Sequence, residues 1–239
     1  MNISIAGLGH LGLPLAKSLQ NDRHHVVGTT TSSDKKIALL RENISCEFLR
    51  SPDLPTKLIT QCDWLVLNIP PFEGQLNWYQ SWDLSETKRI LFVSSTSVLR
   101  EGPNSVLLRE EEEWIKSLSL SSTIVRPAGL IGSGRHPGKH LSGKAGIKGR
   151  LNPVNLIHTE DVVGLMRTII QKEILGETIE AVSDEHHTKV EFYTEYCRRN
   201  NLPLPEFDLN DHSPGAIISN EKMKRYYQLK FPTMLGRSL

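Results

Sequence analysis

Gly7-Leu-Gly-His-Leu-Gly12 is a G-x-G-x-x-G hexapeptide, a spacing suited to holding a pyrophosphate. Gly7 permits the tight turn, Gly9 lets backbone approach the phosphates, and Gly12 lets a helix pack closely on the preceding strand. A helix starting there presents N–H groups and a positive dipole to the anion, so His10 and Leu11 join the cradle. An NAD site places an Asp or Glu about 20 residues further on, against the ribose hydroxyls. This chain has Gly28-Thr-Thr-Thr-Ser-Ser-Asp-Lys-Lys36 instead. Hydroxyls and cations suit a ribose 2′-phosphate, which a carboxylate would repel, so Thr30, Thr31, Ser32 and Lys35 are expected to read the adenosine ribose. Asp34 is the nearest acid and is expected to cap the next helix; the run contains no arginine. The expected cofactor is NADP(H), with NAD(H) as the alternative.

Other reactive spacings are weaker. Gly138-Lys-His-Leu-Ser-Gly-Lys144 has P-loop spacing, but Ala145 stands where a magnesium-binding hydroxyl belongs, and no strand precedes it. His136 with His140, and His186 with His187, come without a cysteine or carboxylate set and are expected to be exposed, so no metal site is assigned. Glu110–Glu113 reads as a solvated charge run on a helix, and His158 as structural near a helix start. Arg135, His136, Lys139 and His140 read as a solvated basic loop; the alternatives are contact with an anionic or phosphorylated substrate, and His136 as a substitute acid.

The elements that must position these residues alternate. Strands are expected at Asn2–Ala6, His25–Thr29, Ser45–Leu49, Asp63–Ile69, Arg89–Ser94 and Ser122–Arg126, with helical patterns after the first two. Repeated β-α-β spacing predicts a parallel, doubly wound sheet. Pro14 is tolerable in a first helical turn, where N–H groups are spare. Asn68, Ile69 and Pro70, ending the fourth strand, would line the cofactor cleft. Gly129–Gly149 is rich in glycine and basic residues, has no usable periodicity, and reads as a long functional loop or as disorder. Thr159 is expected to start a helix through Ile170, and Thr188 with Glu191 forms a capping box before Phe192–Arg199.

Composition bounds the class. The 239 residues carry 28 basic and 27 acidic side chains, too balanced for a general nucleic-acid binder. Mean hydropathy is −0.30. The apolar runs fall far short of the roughly 20 residues that span a bilayer, so no membrane partner is expected. Cys46, Cys62 and Cys197 form no C-x-x-C pair and read as free, buried thiols of a reducing compartment, which makes the expected location cytoplasmic.

Two further stretches, with the glycine turn, resemble the extended and atypical short-chain dehydrogenase/reductases. Phe92-Val-Ser-Ser-Thr-Ser-Val98 is similar to that superfamily's active-site strand end, and Asn155-Leu-Ile-His-Thr-Glu-Asp-Val-Val163 to its late N-x-I-H-x-x-D-V segment. Arg126-Pro127 and Gly129–Gly134 resemble the turn passing the nicotinamide. Ser183-Asp-Glu-His, Phe192-Tyr193, Leu202–Pro205 and Ser219-Asn-x-Lys222 resemble the small epimerase/dehydratase-like proteins of the bacterial YeeZ type. The resemblance implies a catalytic hydroxyl at Ser95, with Ser95 and Pro127 flanking the nicotinamide. It also implies a downstream Tyr-x-x-x-Lys pair, whose phenol exchanges a proton with substrate. Here no tyrosine lies between Tyr79 and Tyr193; the expected region offers Trp114 and Lys116, and Leu99 replaces another common tyrosine. Thr96-Ser97 stands where sugar-nucleotide dehydratases have Asp-Glu, which sets that subclass aside.

The expectation is thus an α/β protein with a Rossmann-type doubly wound parallel sheet and a small C-terminal substrate lobe. Residues 1–165 would form the dinucleotide-binding core and 166–239 the mixed C-terminal region. The expected activity is that of an oxidoreductase or epimerase-like enzyme on a small molecule that the sequence does not name. The alternative is a catalytically inactive dinucleotide-binding sensor. Oligomeric state is left open.

Overall fold

The computed structural model describes residues 1–213 and 215–232. The first unit comprises residues 1–126 and 163–179, and the second residues 127–162 with the chain from Glu180 onward.

The first unit opens with β1 (Asn2–Ala6), α1 (Gly12–Asn21), β2 (His25–Thr30), α2 (Ser33–Arg41) and β3 (Ser45–Phe48). It continues through α3 (Lys57–Thr60), β4 (Trp64–Leu67), α4 (Gln75–Gln80) and β5 (Arg89–Val93). A 3₁₀ turn (Thr96–Leu99), α5 (Pro103–Ser117) and β6 (Ser121–Pro127) follow. The later elements are β7 (Gly129–Ile131), a second 3₁₀ turn (Pro137–Leu141), β8 (Leu156–His158) and α6 (Thr159–Gln171). After them come β9 (Thr178–Ala181), α7 (Lys189–Arg199) and α8 (Glu221–Lys224).

The large sheet runs β3-β2-β1-β4-β5-β6-β9, and β1 to β6 pair in parallel. This is the doubly wound order, with its switch point between β1 and β4. All four residues of β4 are buried, as both faces of a parallel strand require. The core of the first unit gathers Leu65, Leu67, Phe92 and Ile124 with the rings of Trp78, Tyr79 and Trp82. In the second unit, β7 and β8 pair in parallel as a small separate sheet. Ile131, Leu156 and Phe192 form its core.

Helix starts follow local chemistry. Ser32 caps α2 by accepting from the Lys35 N–H, while Asp34 sits in the first turn instead of capping. The Thr188–Glu191 capping box is formed at α7. The Asp161 carboxylate, in the first turn of α6, accepts from the Tyr227 hydroxyl and from the N–H groups of Lys230 and Phe231.

Three further expectations are corrected. Glu110–Glu113 is not a solvated run, because Glu111 and Glu112 are each only 1% exposed. Glu112 accepts from Ser94 Oγ at 2.6 Å and from Arg126 Nε at 2.8 Å, so a buried ion pair replaces solvation. Nor is the 135–140 loop wholly solvated. Arg135, Lys139 and His140 are exposed, but His136 stacks on Tyr196 with ring centroids 4.0 Å apart. Its Nδ1 accepts from the Gly138 N–H, and burial pushes its pKa down to about 4. A ring kept neutral and packed is poorly suited to donate a proton. His186 and His187 are likewise half-buried, and His187 pairs with Glu185 at 2.5 Å. The three cysteines are free and buried, and no described helix is long and apolar enough to cross a membrane.

Candidate functional site: a cavity at the switch point

The glycine turn is fixed by the strands on either side. Gly7 has φ +100°, and a Cβ there would lie 2.4 Å from the Asn68 carbonyl oxygen. A Cβ on Gly12 would lie 2.1 Å from the Gly7 carbonyl oxygen. Both positions therefore exclude side chains. Gly9 differs: a Cβ there would meet no other described residue within 4 Å. The turn needs no glycine at that point for its own packing.

Hydrogen bonds hold the turn in place. The Gly7 N–H donates to Thr29 Oγ1 at 3.0 Å, and the Leu8 N–H to the Thr29 carbonyl at 2.8 Å. From the other side of the switch point, Asn68 Nδ2 donates to the Gly7 carbonyl at 3.0 Å. Gly28 is required because a Cβ there would run into the Leu8 side chain. Lys35 Nζ reaches back from α2 to the Leu8 carbonyl at 2.6 Å. The start of α1 has no side-chain cap and no acid in its first turn.

These elements enclose a cavity of about 540 Å³. Gly7, Gly9, Thr30, Thr31, Ser32 and Lys35 line it, with Asn68, Ile69 and Pro70 from the end of β4. His10, Leu11 and Gly12 do not line it; Leu11 and Gly12 are buried at the start of α1. The sequence reading missed Leu8, Thr29, Leu49, Arg50, Ser51, Phe72 and Trp78, which complete the wall. Arg50 and Ser51 follow β3, and their only signal was the parallel pairing that brings β3 beside β2. The lining holds two cations, Lys35 and Arg50, and no carboxylate.

Ser95 stands outside this lining, half-buried after β5, and its Oγ accepts from the Ser97 N–H at 3.1 Å. The neighbouring backbone is clamped: Ser105 Oγ donates to the Ser97 carbonyl at 2.7 Å, and Arg109 Nε to the Val98 carbonyl at 2.9 Å. Pro127 is the last residue of β6. On α5, Lys116 is exposed and pairs with Glu113, while Trp114 stacks on Tyr79. No phenol stands on this helix. Among the described residues, no group of three His, Cys, Asp or Glu side chains could hold a metal ion.

No family model matches the chain. The protein YeeZ of Escherichia coli K12 is 30% identical to it, over 92% of each chain, and so is YeeZ of strain O157:H7. Among solved structures, a functionally unknown conserved protein of Silicibacter pomeroyi superposes with a TM-score of 0.78 at 17% identity. The match covers 97% of this chain and 94% of that one. A short-chain dehydrogenase/reductase superfamily protein of Agrobacterium tumefaciens, solved with NAD, gives 0.73 at 13% identity over 95% and 91%. A human epimerase family protein, solved with NADPH, gives 0.67 at 15% identity over 98% and 96%. At these identities the structural likeness concerns the fold alone.

Proposed function

This chain belongs to the family of Escherichia coli YeeZ, and from that premise we propose that it is an NAD(P)-binding, epimerase-like short-chain dehydrogenase/reductase that takes NADP(H) at the switch-point cavity. The observation that carries the reading is Gly9, whose absent side chain leaves open space in the wall of a cavity without a carboxylate. Gly9, His10, Leu11 and Gly12 hold the pyrophosphate through backbone N–H groups and the α1 dipole, and Gly7, whose N–H is taken by Thr29, sets the turn. Thr30, Thr31 and Ser32 take the adenosine ribose, beside Lys35, whose ammonium is held by the Leu8 carbonyl. Thr30 and Ser32 accept from backbone N–H groups, which leaves their O–H protons to donate outward. Asn68, Ile69 and Pro70 form the far wall, and Ser95 flanks the nicotinamide. The NAD and NADPH in the Agrobacterium and human structures are consistent with this use of the fold.

The proposed activity is that of an oxidoreductase or epimerase-like enzyme on a small molecule. When bound, a nicotinamide dinucleotide supplies hydride-transfer chemistry. This chain contributes Ser95, whose hydroxyl proton polarises a substrate carbonyl while its oxygen still accepts from Ser97. A second reading, a dinucleotide-binding sensor without turnover, is favoured by one observation: α5 has no phenol to exchange a proton.

Fluorescence titration with NADPH and NADH tests the binding. Tighter binding of NADPH is expected, and binding of neither would overturn the reading. Ser95→Ala then separates the two functions in a screen of carbonyl substrates. For an enzyme, turnover falls by about 10²-fold or more with cofactor affinity kept. For a sensor, no substrate turns over in either protein.

A further inference from the structure

The sequence places the 2′-phosphate reading on the β2 tip and Lys35, but the cavity contains a second cation with a different standing. Lys35 Nζ is held 2.6 Å from the Leu8 carbonyl, which ties α2 to the glycine turn. Arg50 is exposed on the same cavity wall, and nothing among the described residues pairs with its guanidinium. Its backbone, by contrast, is fixed on three sides. The Leu49 N–H donates to the Thr30 carbonyl at 3.0 Å, which extends the β2–β3 ladder one step past Phe48. The Asp53 N–H donates to the Arg50 carbonyl at 2.8 Å, closing a turn. Trp78 Nε1 donates to the Asp53 carbonyl at 2.6 Å, which anchors that turn to α4.

We propose that Arg50 is the residue that selects NADP(H) over NAD(H), by taking the ribose 2′-phosphate, and that Lys35 is a positioning residue for the glycine turn. The proposal rests on the dinucleotide reading above and names the group that discriminates within it. A planar guanidinium matches two phosphate oxygens at once, whereas an ammonium acts as a point charge. Among the described residues the Arg50 fork is unengaged, and it stands on a braced turn in the same lining as Thr31 and Ser32. Neither Asp34, in the first turn of α2, nor Glu47, in β3, belongs to the lining, so no acid there neutralises the cation.

The test is a set of equilibrium titrations of the full chain with NADPH, NADH, 2′,5′-ADP and 5′-AMP. Arg50→Gln is expected to weaken NADPH and 2′,5′-ADP by about 10- to 100-fold, the loss of one charge-assisted contact. NADH and 5′-AMP should stay within about threefold, and Arg50→Lys should fall between. Lys35→Met should weaken NADPH and NADH alike, with Lys35→Arg restoring both. An exposed side chain without partners leaves the melting temperature of Arg50→Gln unchanged, so lost affinity is not lost fold. Selective loss in Lys35→Met and none in Arg50→Gln would overturn the assignment, as would equal losses for all four ligands in Arg50→Gln. If wild type binds NADH as tightly as NADPH, dinucleotide binding stands while NADP(H) preference and this assignment fall. If wild type binds neither, the dinucleotide reading itself falls.

Discussion

Glu111 sits 1% exposed in the core side of α5, with neither carboxylate oxygen hydrogen-bonded to a described residue. Burial, reinforced by the charge of Glu110, pushes its pKa up from 4.5 to about 7. The folded state therefore keeps a proton that the unfolded chain releases. Stability contributed by this group is full below pH 4.5, declines as pH rises toward 7, and levels off above it. The loss is about 3 kcal/mol at most. Glu111→Gln should flatten that slope, which urea denaturation at pH 5 and pH 7.5 would measure; an unchanged slope would refute it. Gly12→Ala should lower stability by about 2 kcal/mol or more, since its Cβ meets backbone at 2.1 Å, and thermal melts would check this. The two cases differ in legibility. Gly7 and Gly12 announce themselves because a tight turn and a close approach admit only glycine. Glu111 and Glu112 read as a solvated face because helix periodicity counts charges as outward. Their burial depends on partners and packing outside the helix, such as Arg126 on the next strand.

Helix α5 is fastened to the sheet at Glu112, which joins Ser94 at the end of β5 to Arg126 in β6. Its side chain is 2% exposed, so removing the cation strands a buried carboxylate. Arg126→Leu is expected to cost about 3–5 kcal/mol, and the double replacement Arg126→Leu with Glu112→Leu markedly less. Denaturant midpoints of both single variants and the double variant would show it; a double loss equal to the sum of the two single losses would mean the pair is not coupled. At α7, Thr188→Ala removes both hydroxyl contacts of the capping box and should cost about 1 kcal/mol in the same assay. The capping box and the β-branched strands were legible because their signals are local. The strands β7 and β8 were not, since three residues each are too few for a period and their pairing joins residues far apart in sequence.

For the molecule as a whole, the order β3-β2-β1-β4-β5-β6 sets the β1 turn beside the end of β4, where Asn68 and Gly7 bond directly. A cleft across the strand ends is legible in the β-α-β spacing, and nine of the cavity's lining residues in the glycine turn, the hydroxyl-rich tip of β2 with Lys35, and the end of β4. Arg50 escaped the sequence reading because it follows a third strand, and only lateral pairing returns it to the β2 tip. The absent phenol on α5 keeps the choice between enzyme and sensor open to the Ser95→Ala experiment, but both readings require the dinucleotide. The direct measurement is calorimetric titration of wild type and Gly9→Ala with NADPH and NADH, with thermal melts of both proteins. A Cβ at Gly9 touches nothing among the described residues, so the variant should have a stability within about 0.5 kcal/mol of wild type. It should nevertheless lose NADPH affinity by about tenfold or more, because the added carbon occupies the approach to the pyrophosphate. Equal NADPH affinity in the two proteins, or no binding to wild type, would contradict the account.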